Sequence, residues 1–153
     1  MSKVEDMIST NITALTILSS LFVKDYSSKA NTQLINVSSD GGYSMVSNFV
    51  TYCSTKFYVS AFTEGLAEEL KAKGKLMKVK ILAPSVTETE FASHALDVEN
   101  YDIRENFSNV RSASEVAEFM IELYDSEEMV GIVDGKTNHF ELKGAIFPHI
   151  SKI

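Results

Sequence analysis

The hydrophobic period of this chain switches between helical and alternating three times over, and that succession restricts the fold more than any other feature. Val4, Ile8, Ile12, Leu15, Leu18 and Phe22 recur at helical spacing and predict a helix over 3–24. Residues 33–39 alternate and halt at Asp40-Gly41-Gly42, which predicts a strand ended by a turn. Val50, Phe57, Ala61, Phe62, Leu66 and Leu70 predict a second helix over 49–73, stopped by Gly74. Val79, Ile81 and Ala83 mark a strand over 78–83 that ends at Pro84. Ser112 or Ser114 can cap a third helix through Tyr124, carried by Val116, Phe119, Met120 and Leu123. Residues 129–133 then form a short strand closed by Asp134-Gly135. Helices alternating with strands are the pattern of a parallel α/β sheet, expected here as one domain over 1–153.

The remaining segments are less informative. Residues 25–32 are polar and predict a loop, whereas 85–112 have no clear period, and a connection that long is usually functional or mobile. Glu64, Glu68 and Glu69, with Lys71 and Lys73, read as a solvated helix face. Gly65 costs about 1 kcal/mol against alanine in a helix interior and suits a close helix approach. In the tail, 136–153, Phe140, Leu142, Ile146 and Phe147 supply enough apolar surface to dock on the body.

Composition bounds the function classes. A hydrophobic content of 44% with 23% charged residues describes a folded chain with a sizeable core. The net charge of −7 argues against nucleic acid or an anionic membrane as partner, since both repel an acidic surface. Cys53 is the single cysteine, which excludes an internal disulfide and fits a reducing, cytoplasmic setting. No basic region followed by an apolar run opens the chain, so no signal peptide is expected. Thr and Ser interrupt the most apolar stretch, 8–23, so no membrane-length apolar run is expected either. His139 and His149 have no companions at metal-ligand spacing, and no metal is expected.

Chemistry concentrates between Ser39 and Lys56. Tyr52 and Lys56 lie four apart, so on a helix they leave the same face one turn from each other. An ammonium beside a phenol favours the phenolate and lowers the tyrosine pKa from about 10 toward neutrality. A tyrosine so tuned can exchange a proton near physiological pH. Ser39 closes its strand thirteen residues upstream and adds a hydroxyl to the same place. Tyr43, Met45 and Phe49 either line a substrate pocket or pack as ordinary loop residues. Cys53-Ser54-Thr55-Lys56 also suggests a nucleophile-x-x-Lys acyl-transfer site, but companion motifs are missing and Cys53 is expected to point away from Tyr52. Asn11, by itself, is readable as a residue that satisfies a backbone group.

These residues resemble the short-chain dehydrogenase/reductase (SDR) family. Ser39, Tyr52 and Lys56 stand at the family's spacing, and Asn11 falls where its helix carries an asparagine. Pro84-Ser85-Val86-Thr87-Glu88-Thr89 resembles the family's Pro-Gly motif, with Ser85 in the glycine position and Thr89 in that of the threonine that touches the nicotinamide. The resemblance implies a three-layer Rossmann-like parallel sheet, truncated to the carboxyl-terminal half. No Gly-x-x-x-Gly-x-Gly occurs, and the family's Asn-Asn-Ala-Gly segment is absent. It further implies NAD- or NADP-dependent hydride transfer between the cofactor and a carbonyl or secondary alcohol. Asn11, Ser39, Tyr52 and Lys56 would be catalytic, while Tyr52, Lys56, Pro84, Ser85, Val86 and Thr89 would bind cofactor. Segment 85–112 would be the substrate lid, within which His94 and Arg104 read as surface residues. Helices 3–24 and 49–73 correspond to the family's dimer-forming pair, so a homo-oligomer is expected through them or through the edge of strand 33–38. The rival reading is a catalytically silent fragment or association module that lacks the dinucleotide-binding half.

Overall fold

The computed structural model describes residues 2–89, 103–107 and 110–150. Helix α1 runs through Lys3–Tyr26 without a break. Ser2 starts it: its hydroxyl accepts the Glu5 N–H while the Glu5 carboxylate accepts the Ser2 N–H, a reciprocal cap. In its middle, Ser9–Ala14 is wound as a π-helix, a distortion the apolar spacing does not reveal. By length and composition α1 could cross a bilayer, contrary to the expectation that no stretch reaches membrane length. One face is nevertheless tied to the protein body. Thr16 shares a hydrogen bond with Tyr58 at 2.7 Å, and buried Ser19 meets Asn36.

Strand β1 (Gln33–Val37), helix α2 (Val50–Ala72), strand β2 (Lys78–Ala83), helix α3 (Ala113–Asp125) and strand β3 (Val130–Val133) follow in the expected order. Gly74 ends α2 with φ +64°, a conformation that suits glycine after a helix. Ser112, not Ser114, caps α3. Strands β1, β2 and β3 pair in parallel, with Gln33 opposite Lys78 and Ile81 opposite Val130. The tail adds a further strand, β4 (Phe140–Lys143), antiparallel to β3, so the four-stranded sheet is mixed in the order β1-β2-β3-β4. Phe140 stacks on Phe119 at 4.3 Å and lies close over Gly131, which fixes β4 against the body.

Successive side chains of β2 point to opposite faces. Val79, Ile81 and Ala83 bury against α2 with Val59, Ala67 and Leu70, and Leu15, Phe22 and Val23 of α1 join the same layer. On the other face Lys80, only 1% exposed, donates to the carbonyls of Leu123, Tyr124 and Ser126 at 2.6, 3.2 and 2.6 Å. A strand lysine therefore closes the carboxyl end of α3, where cations are favoured. Burial holds its ammonium below the usual lysine range. The three layers are α1 with α2, the sheet, and α3.

The solvated-face reading fails at Glu64, which is 3% exposed. Its carboxylate accepts the Tyr43 hydroxyl at 2.6 Å and the N–H groups of Ile146 and Phe147 at 2.7 and 2.9 Å. Glu69 does face water, paired with Lys73. Within 85–112, Ile103–Asn106 forms a helical turn whose Arg104 pairs with Glu88 at 2.6 Å. His94 and most of the expected lid lie outside the described residues.

Candidate active site

The carboxyl ends of β1 and β2 lie side by side. Ser38 N–H donates to Leu82 O at 2.8 Å and Asp40 N–H to Pro84 O at 2.9 Å. The chain leaving β1 thus runs directly alongside the Pro84–Thr89 segment that leaves β2. That segment is held in turn by Arg111: Thr87 bridges it in parallel, with Arg111 N–H to Val86 O at 2.9 Å and Glu88 N–H to Arg111 O at 2.8 Å. The Arg111 guanidinium bonds Glu115 at 3.0 Å and the Asn138 carbonyl. The expected cofactor segment is therefore clamped between β1, the start of α3 and the β3–β4 turn. Ser85 Oγ is buried there without a hydrogen-bond partner, and the Ser85 carbonyl accepts the Thr87 hydroxyl at 2.9 Å. Thr89, at the far end of the segment, is exposed.

Ser39 caps a 3-10 turn, Asp40–Gly42, its Oγ accepting the Gly41 N–H at 3.2 Å and donating to Asp40 Oδ1 at 2.9 Å. The turn lies hard against α2. A Cβ on Gly42 would meet Ser38 Oγ at 2.3 Å, Ser60 Oγ at 2.6 Å and the Lys56 carbonyl at 2.8 Å. Close approach, more than freedom to turn, is what requires glycine there. The Tyr52 phenol reaches this turn from α2: its ring and the Ser39 hydroxyl both border Gly41, 3.7 and 3.6 Å from where a Cβ would stand. Lys56, one turn on, holds its ammonium 5.8 Å from the centre of the Tyr52 ring and donates to the Val37 carbonyl at 3.2 Å. Ser39, Tyr52 and Lys56 are thus brought to one place at the sheet's carboxyl edge.

The electrostatics differ from the sequence expectation. Burial pushes the Tyr52 phenol above its ordinary value; the neighbouring Ser39 side chain opposes this, and the Asp40 charge adds to it. Burial also holds the Lys56 ammonium below the usual lysine range. Cys53 also departs from expectation: it is buried, and its Sγ faces Gly41 at 3.3 Å from where a Cβ would stand, on the side of Tyr52 and Ser39. A thiol with no exposure cannot attack an acyl substrate, so the nucleophile-x-x-Lys reading falls.

Asn11 sits in the π-helical turn of α1 and donates to Thr55 Oγ1 at 3.0 Å. Thr55, 2% exposed, donates in turn to the Tyr52 carbonyl at 2.8 Å. Asn11 is therefore linked to the helical turn that carries Tyr52 and Lys56. Thr55 was not singled out in the sequence, because a threonine in mid-helix carries no pattern of its own. Tyr43 is half-buried, packed against the core cluster that includes Val59 and Ile81, and Phe147 stacks on it at 5.3 Å.

Comparison with known proteins bears on family and fold. The sequence profile described as short chain dehydrogenase matches residues 1–100. The chain belongs to the short-chain dehydrogenase family. An uncharacterized oxidoreductase of Staphylococcus saprophyticus is 33% identical over 85 residues, 55% of this chain and 35% of that protein. Benzil reductase ((S)-benzoin forming) of Bacillus cereus is 31% identical over 101 residues, 65% of this chain and 39% of the relative. Among solved structures, a short-chain dehydrogenase from Sphingobium yanoikuyae in complex with NADPH superposes with a TM-score of 0.74 at 25% identity, covering 86% of this chain and 50% of that one. This short-chain dehydrogenase thus spans half or less of each of these proteins.

Proposed function

We propose that this chain carries the reacting half of a reductase site, which transfers hydride between NAD(P) and a carbonyl or secondary alcohol. The observation that carries the reading is the convergence of Ser39 and Tyr52 beside Gly41, with Lys56 one turn away, at the carboxyl edge of the sheet. The residues fit the nicotinamide end of such a cofactor. Lys56, Tyr52, Pro84, Ser85, Val86 and Thr89 border one edge, and the buried Ser85 hydroxyl has hydrogen-bonding capacity unused. The cofactor, when bound, supplies the hydride. Tyr52 gives its proton to the carbonyl oxygen, or takes it back in the reverse direction. Ser39 hydrogen-bonds that oxygen and holds it at the phenol. With the cofactor bound, Lys56 would hold its ribose and stabilise the phenolate, Asn11 would steady a water in the proton relay, and Thr89 would hold the nicotinamide amide.

No Gly-x-x-x-Gly-x-Gly occurs in the sequence, and among the described residues no glycine-rich turn leads into a helix that could cradle a pyrophosphate. Each tenfold loss of affinity is about 1.4 kcal/mol, and losing a phosphate cradle removes several such factors. A chain of these residues alone is expected to bind NADH and NADPH weakly or not at all. Calorimetry with both dinucleotides, followed by turnover of benzil at millimolar NADPH, tests the reading. Slow turnover abolished by Tyr52→Phe supports a reductase site. A folded chain with no turnover at any cofactor concentration favours the rival reading, an association module, to which the broad exposed apolar face of α1 also points. Saturable micromolar binding would overturn the weak-binding expectation and place a phosphate cradle elsewhere in the chain.

A further inference from the structure

Glu64 lies two turns beyond Lys56 on α2, and the reaction described above makes no use of it. Burying a carboxylate is costly unless its oxygens are hydrogen-bonded. Here one oxygen is satisfied by Tyr43 and the other by the backbone of Ile146 and Phe147. The donors come from two segments far apart in sequence, and the rings they carry stack on each other: Tyr43 on Phe147 at 5.3 Å, with Phe57 at 6.3 Å from Phe147. Tyr43 directly follows the turn that carries Ser39. Its N–H donates to Asp40 O at 3.0 Å, and Gly42 N–H donates to Ser39 O at 2.8 Å.

We propose that Glu64 is a positioning residue that couples docking of the carboxyl-terminal segment 144–147 to the shape of the Ser39 turn, so that the reacting pair is assembled only when the tail is seated. The coupling follows from shared satisfaction. If the tail leaves, the carboxylate loses two donors and a stacked ring, and water enters beside Tyr43. If the turn opens, the same carboxylate loses its hydroxyl donor. Each event lowers the cost of the other, which is the definition of a coupling free energy between two sites.

This rests on Ser39 and Tyr52 being the reacting pair, but its test uses no turnover, so the two ideas fail separately. Amide hydrogen exchange is measured at 41–44 and 146–147 in the unaltered chain and in Glu64→Ala, Glu64→Gln and Phe147→Ala. In parallel, the Tyr52 phenol is titrated by NMR with ring-labelled tyrosine. For Glu64→Ala, both sets of amides should exchange at least about tenfold faster, and Tyr52 should titrate nearer the ordinary value of about 10. Glu64→Gln, which keeps an acceptor for the tail, should fall between. Phe147→Ala removes the tail ring that stacks on Tyr43 while leaving the Glu64 carboxylate in place, and it too should accelerate 41–44. It decides the matter if Glu64→Ala does not fold. Acceleration confined to 146–147, with 41–44 and the Tyr52 titration unchanged, overturns the coupling and leaves Glu64 a local tail anchor.

Discussion

Replacing Gly42 by alanine would drive a methyl group into Ser38, Ser60 and the backbone of Lys56. None of those three atoms can move away without breaking the bond between Ser38 and Ser60 at 2.8 Å or moving the helix itself. The substitution should cost about 1–3 kcal/mol as overpacking and should separate Ser39 from Tyr52. Chemical denaturation and the chemical shift of the labelled Tyr52 ring check both effects. Glu115 offers a pH-dependent counterpart. The Ser112 N–H, Arg111 and the Ser112 hydroxyl lower its pKa from 4.5 to about 2. A depressed carboxylate contributes stability that is present above its unfolded value and lost as pH falls through its folded one. Acid unfolding should therefore steepen between pH 4.5 and about 2, and Glu115→Gln should flatten that window. Ser39, Tyr52 and Lys56 were legible in the sequence because their spacing is itself the geometry: a strand end followed by two positions one helical turn apart. Glu64 and Lys80 were not. Hydropathy scores a charge as exposed, and the partners that make burial tolerable come from residues 43, 123–126 and 146–147.

At the scale of elements, the closing of α3 by a strand lysine is the least conventional contact. Lys80→Met keeps the aliphatic stem but leaves the carbonyls of Leu123, Tyr124 and Ser126 without their buried donor. It should destabilise the chain by about 2–4 kcal/mol, with the loss concentrated in slower-exchanging amides of 121–126 becoming fast. Thermal unfolding followed by exchange separates this from a uniform effect. The helices and parallel strands were readable from period alone, within a residue or two at their ends. Strand β4 was not, because Phe140-Glu141-Leu142-Lys143 alternates over four residues only, as many tails do. What makes it a strand is the edge of β3 and the Phe119 ring that receives Phe140. The π-helical turn around Asn11 was equally hidden, since one added residue in a turn barely disturbs an apolar stripe whose other side is open.

For the whole molecule, the apolar surface of α1 matters most. Val4, Ile8, Ile17, Leu18 and Leu21 are exposed, Leu18 to 66%. Among the described residues, strand β1 has a sheet neighbour on one side only, which leaves backbone groups open to pairing. Patches of this kind mark contact surfaces. The chain is expected to associate at micromolar concentration, and Leu18→Glu should shift it toward monomer in sedimentation without changing its circular dichroism. A monodisperse monomer of the unaltered chain would count against association through this face.

Cys53 gives this protein a clock of its own. It is the single thiol in the chain, it has no exposure, and its sulfur rests against the turn that holds Ser39. A thiol reagent can reach it only when that turn and α2 part. Where reclosing is faster than labelling, the reaction rate reads the population of the parted state, with no probe introduced. Anything that seats the turn more firmly, whether a nucleotide or a second subunit, would then be detected as a slower colour change in a cuvette.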